Sequence, residues 1–147
     1  NFDEGHRKMV EEFLKTHPVD EATRFIFQRI DKYLSSSKNA WIFDAKTSRR
    51  ELVAFDIAEF NPRDYAIYMF NFRSDALYVP GASDLLLSEV IQQAKTEGKK
   101  YVNLGLGINP GVAFFKKKWG GEIFLPYAFC LYHPSRKENL ETLLQKL

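Results

Sequence analysis

At 147 residues, 45% hydrophobic and 15% aromatic, the chain has enough apolar content for one domain with a real core and lacks the composition of a disordered segment. Its formal charge of +2, from 21 basic and 19 acidic residues, excludes a general field that would draw the whole protein onto nucleic acid or an anionic membrane. No apolar run approaches the ~20 residues of a bilayer span and no secretory leader pattern opens the chain, so the expected location is the cytoplasm.

In chain order, Met9, Val10, Phe13 and Leu14 recur at helical spacing within His6 to Lys15, and Pro18 closes that segment. Asp20 is an N-cap for a second helix whose apolar stripe, Ala22, Phe25, Ile26, Ile30, Tyr33 and Leu34, runs out at three serines. The period then changes. Ala40 to Asp44, Glu51 to Phe60 and Tyr65 to Phe72 read as an antiparallel meander, separated by AKTSRR and NPRD. A helix follows VPGAS, with Leu86, Leu87, Val90, Ile91 and Ala94 on one face and Gly98 as its stop. Tyr101 to Gly105 is a short buried strand. Pro110 opens the next helix, which Gly120 and Gly121 end. A last strand is expected from Glu122 to Tyr132, with a small helix after Ser135. The single cysteine, Cys130, falls in that strand; with no partner for an internal disulfide it suits a reducing compartment. The chain opens on Asn1 and not on methionine, so it is expected to be a piece of something longer. The expected class is α/β (α+β), a mixed, mostly antiparallel central sheet flanked by helices.

Two phrases carry a resemblance. PGASDLLLSEVIQQAKTEGKKYVNLGLG followed by FFKKKWGG, in the block Val79 to Tyr132, is similar to the second half of the GNAT fold, the Gcn5-related N-acyltransferase superfamily. Within it the lysine phrase resembles the Fem-type peptidoglycan aminoacyltransferases and the C-terminal domains of lysylphosphatidylglycerol synthetases. The likeness covers about a third of the chain well. It implies one GNAT-like acyltransferase domain over residues 1–147, or one lobe of a two-lobe protein, with a second lobe or a homodimer as partner. It also implies an acyl donor, either acyl-CoA or aminoacyl-tRNA, and an amine-bearing acceptor, with tRNA as a partner, no DNA and no membrane span. On the family's pyrophosphate loop fall Tyr78, Gly81 and Ser83, of which only Gly81 matches; on the pattern of the family's fourth helix fall Asn109, Lys116 and Gly120, with lysine where the family commonly has tyrosine.

The residues can be weighed without the family. A helix N-terminus favours a phosphate, but Asp84 stands in that first turn and would compete for the same donors, which disfavours acetyl-CoA; Ser83 and Asp84 are expected to do no more than cap the helix. Successive helical residues turn by about 100°, so Lys116, Lys117 and Lys118 cannot share a face. Lys116 borders the stripe of Val112, Phe115 and Trp119 and is the lysine that reaches a cleft, while its two neighbours are expected in solvent. Asn103, Gly105 and Asn109 lie at the strand-to-helix corner where ligands collect in open sheets, although tight-turn geometry alone explains the glycines equally well.

The candidate catalytic residues are therefore Lys116 and Asn109, and the candidate donor-binding residues are Gly81, Ser83, Asn103 and Gly105. The strand YAIYMFNF lacks the carboxylate that the GNAT resemblance implies as a base there, and Asp56 and Asp75 are expected to be structural or surface acids. His6, His17 and His133 have no metal spacing, so no metal site is expected. Two functions remain: a transferase passing an acyl or aminoacyl group to an amine, or a catalytically silent GNAT-like interaction module.

Overall fold

The computed structural model describes residues 1–124. The expected strand from Glu122 lies mostly outside them, and Cys130, His133 and the helix after Ser135 wholly so.

Helix α1 spans Glu4–Thr16 behind a capping box in which the Asp3 carboxylate accepts from the His6 backbone and the His6 ring reaches back to the Asp3 backbone. That ring is buried. Its Nδ1 is 2.6 Å from Asp3 Oδ1 and its Nε2 2.8 Å from Asp44 Oδ1, so one side chain ties the helix cap to the first strand. The sequence pattern does not reveal this role, because Asp44 is far from His6 along the chain.

The expected second helix is two helices. Asp20 accepts from the Thr23 amide at 2.6 Å and starts α2, Glu21–Phe27, but Arg29 leaves helical geometry before α3, Ile30–Ser36. The break turns the stripe: Phe25 and Ile26 are exposed, whereas Phe27 packs edge-on against Phe13, Phe70 and Phe72. Of the predicted stripe only Ile30 is fully buried.

Strands β1 (Ala40–Lys46), β2 (Leu52–Glu59) and β3 (Tyr65–Arg73) form the antiparallel meander, and β4 (Tyr101–Asn103) joins β3 in parallel. The sheet order is β1-β2-β3-β4. A parallel pair needs a crossover, and α4, Ala82–Thr96, supplies it. Helix α5, Pro110–Lys118, follows β4. On one face, α1 packs Met9, Val10 and Leu14 against Phe55, Ile57 and Phe72. On the other, α4 packs Leu87, Val90 and Ala94 against Ala58, Ala66 and Tyr68. Strand β2 lies between the two layers, which is why Val53 to Phe60 are buried without alternation. No helix among the described residues is long and apolar enough to cross a membrane.

Both predicted glycine stops hold. Gly98 at φ +69° ends α4, and Gly120 at φ +74° ends α5 with the Gly121 amide donating to the Lys116 carbonyl at 2.9 Å. A Cβ at Gly121 would stand 2.8 Å from that carbonyl oxygen and 3.2 Å from Leu104 Cδ1. Gly121→Ala is therefore expected to destabilise the fold by about 1–3 kcal/mol, as overpacking does, and chemical denaturation checks it. An unchanged midpoint would contradict the tight seating of α5 on β4.

Candidate functional site

Strand β3 has two partners only as far as Ile67, where its pairing with Asn103 of β4 ends. Directly afterwards the β2–β3 register slips, Ile57 facing Phe70 and Ala58 facing Tyr68, so Met69 is the extra residue of a bulge. Gly105 at φ +67° turns the other chain away. The place where the two strands are no longer paired is the opening between them. The place a Gly105 side chain would occupy is 4.0 Å from the Tyr68 carbonyl oxygen and 3.8 Å from Lys116 Nζ.

Lys116 reaches this opening from α5, half-buried, and donates to the Leu106 carbonyl at 2.5 Å. Burial pulls its pKa below that of an ordinary lysine. Lys117 is exposed. Lys118 is exposed too, as expected, and its ammonium is in addition 2.6 Å from Asp84 Oδ1.

The other predicted residues are placed as follows. Asn103 accepts from the Gly105 amide at 2.8 Å and so shapes the corner below Lys116. Asn109 caps α5, accepting from the Val112 amide at 2.9 Å. Gly81 is itself the N-cap of α4, at φ +79° and with no side-chain cap. Ser83 and Asp84 therefore do not cap that helix, contrary to expectation. The Ser83 hydroxyl donates to Asn71 Oδ1 at 3.2 Å, and Asp84 Oδ1 accepts from Trp119 Nε1 at 2.7 Å as well as from Lys118. The Lys118 and Trp119 hydrogen bonds hold the Asp84 carboxyl below the usual aspartate range. An anion thus already stands in the first turn of α4, tethered to α5, and the residues there do not fit a pyrophosphate.

Of the two acids expected to be structural or on the surface, Asp56 is the structural one. It lies at the centre of β2 with no exposure, accepting from Asn71 Nδ2 at 2.6 Å and from the Tyr68 hydroxyl at 3.3 Å. Its Oδ2 has no hydrogen-bond partner among the described residues. Burial raises its pKa to about 7 against the opposing pull of those two donors. Asp75, the other acid considered, is exposed. Period and spacing could not single out Asp56; a carboxylate inside the otherwise apolar run VAFDIA was the available signal.

Two hollows of about 300 and 360 Å³ lie elsewhere, the first between α1 and α2 beside Arg7 and Phe27, the second between α4 and β4 beside Lys99 and Trp119. Neither is lined by Lys116. No cluster of metal-ligating side chains occurs among the described residues.

No family model and no curated protein matches the chain in sequence. Solved structures do match its fold. A transcriptional regulator from Bacillus halodurans C-125 superposes with a TM-score of 0.64 at 17% identity over 90% of this chain and 96% of its own. A ribosomal-protein-alanine N-acetyltransferase from Brucella melitensis biovar Abortus 2308 gives 0.63 at 10% identity, covering 88% and 90%. The structure of AAC(6')-Iy in complex with the bisubstrate analog CoA-S-monomethyl-acetylneamine gives 0.63 at 14%, covering 89% and 91%. The chain has the GNAT fold. At these identities the likeness extends to architecture alone.

The buried Asp56 has a measurable consequence. In the fold it keeps its proton up to about pH 7, whereas the unfolded chain releases it near 3.8, so the folded state binds more protons between those values. Its stabilising contribution is present below the lower value and is lost as pH rises through the upper, roughly 4 kcal/mol in all. Asp56→Asn is expected to flatten this decline in denaturation experiments across the window. A decline of equal size in the variant would assign the effect to other groups.

Proposed function

We propose that the chain is an N-acyltransferase domain of the GNAT fold in which Lys116 serves acyl transfer at the opening between β3 and β4. The observation that carries this reading is the half-buried Lys116 ammonium beside Gly105 where the strands part. A fixed cation in a partly dry opening stabilises negative charge far better than one in water. In the reaction an amine nitrogen attacks the acyl carbon, the N–C bond forms, and the donor's C–O or C–S bond breaks. The Lys116 ammonium faces the carbonyl oxygen as it gains charge, and the amine's proton leaves with the departing oxygen or sulfur. Asn103 and Gly105 shape the corner that leaves room for the acyl group, and Asn109 sets the start of the helix that carries Lys116.

Asp84 supports a donor other than acetyl-CoA. A carboxylate bonded to Lys118 and Trp119 stands where a pyrophosphate would need free amides, so Gly81 and Ser83 serve the loop and its link to β3 instead of a phosphate. The FFKKKWGG phrase favours an aminoacyl-tRNA donor of the Fem-like kind, hence a cytoplasmic setting and, in that branch, a second lobe or a second copy. A silent interaction module is the competing reading. It is favoured by a β3 without a carboxylate and by an Asp56 sealed from solvent.

Lys116→Ala is expected to lower turnover, with aminoacyl-tRNA and an amine acceptor, at least ~10-fold while leaving the unfolding midpoint nearly unchanged. Lys117→Ala should alter neither quantity. Equal losses from both variants would indicate a diffuse basic patch, and no turnover in the wild type would favour the module.

Coenzyme A is expected to bind weakly. Calorimetric titration should give a dissociation constant well above the micromolar range, that is, binding weaker than about −8 kcal/mol. Micromolar affinity would show that Asp84 yields to a pyrophosphate.

A further inference from the structure

Asp56 is wholly buried and cannot touch a substrate, yet its two hydrogen-bond donors sit on either side of the feature that creates the opening. Tyr68 precedes the Met69 bulge and Asn71 follows it. The Tyr68 carbonyl borders the opening near Lys116, while Asn71 accepts from Ser83 at the start of α4. One carboxyl group thus connects β2 to both sides of the bulge and, through Asn71, to the helix behind it.

We propose that Asp56 is a positioning residue whose carboxyl clamps the β3 bulge, fixes the width of the opening between β3 and β4, and tightens that clamp when it ionises.

The clamp is stable in the neutral form because Oδ1 accepts both hydrogen bonds and no charge is buried. Ionisation leaves a carboxylate in an apolar layer with Oδ2 lacking a donor among the described residues. Its two donors bond the ionised carboxylate more strongly than the neutral carboxyl. From β3 come the Tyr68 hydroxyl and the Asn71 amide; its register partner on β1 is the apolar Phe43; on α4 the charge acting on Tyr68 is Asp84, itself negative and paired with Lys118 of α5. No cation is hydrogen-bonded to Asp56 among the described residues. The response is local: charge on Oδ1 draws in the Tyr68 hydroxyl and the Asn71 amide, and the bulge between them, with the Tyr68 carbonyl, moves with it. Lys116, on a separate helix, then faces an opening of different width. Only this catalytic consequence rests on the proposed acyl-transfer site; the coupling itself needs no substrate.

The test is an NMR titration of the full chain across the neutral range, following the Asp56 carboxyl carbon and the amide resonances of Gly105 and Leu106. The expected result is an Asp56 midpoint near pH 7, with the Gly105 and Leu106 resonances shifting at that same midpoint. In Asp56→Asn, which keeps the acceptor oxygen without a titrating proton, that shift should vanish while turnover loses its pH step. Wild type alone decides the matter if the variant does not fold. The proposal is overturned if Asp56 titrates near 3.8, or if Gly105 and Leu106 stay still while Asp56 titrates. Absence of transferase activity would instead remove the proposed function, leaving the spectra to decide the coupling.

Discussion

Strand β3 loses a partner after Ile67, and everything at the candidate site depends on that loss. Two parallel strands that stayed paired would bond the Tyr68 carbonyl into the ladder and leave no space beside Gly105. The parting is built from three local features: a bulge at Met69, a three-residue β4, and a left-handed glycine at 105. Helix α5 then needs only a half-buried lysine on its inner edge to place a cation there. Around this corner, β2 provides rigidity, because helices cover both its faces and none of its residues from Val53 to Glu59 can move without disturbing a packed layer.

Much of the fold was legible because its elements obey local rules. Leu86, Leu87, Val90 and Ala94 repeat at helical spacing and are buried as that spacing requires. Gly98 and Gly120 ended their helices because only glycine takes positive φ there without strain. The second helix was misjudged for an equally physical reason. Phe27 lies off the stripe that contains Phe25 and Ile26, yet it is the residue that packs edge-on against Phe13, Phe70 and Phe72. Periodicity within one segment cannot register packing against two others.

The site divides in the same way. The inequality of the three lysines follows from helical geometry alone, since Lys116 borders the apolar stripe and Lys117 cannot. The pairing of Lys118 with Asp84 joins residues on different helices, so the sequence offered no trace of it. That pairing also changes the reading of Asp84, from a helix cap to a tether between α4 and α5. Asp56 was visible as an acid in an apolar strand, but its depth depends on α4 lying over it, and its donors on a bulge that shifts Asn71 onto the same face as Tyr68. Long-range packing, not composition, decides whether such a carboxylate is a surface charge or a buried one.

The central claim is that Lys116 alone of the three lysines lies in a partly desolvated opening, and titration of the lysine side-chain nitrogens by NMR tests it most directly. Burial should bring the Lys116 transition below that of ordinary lysines, with the Leu106 carbonyl responding to the same event. A Lys116 that titrates together with the exposed Lys117 would place it in bulk solvent and contradict the site.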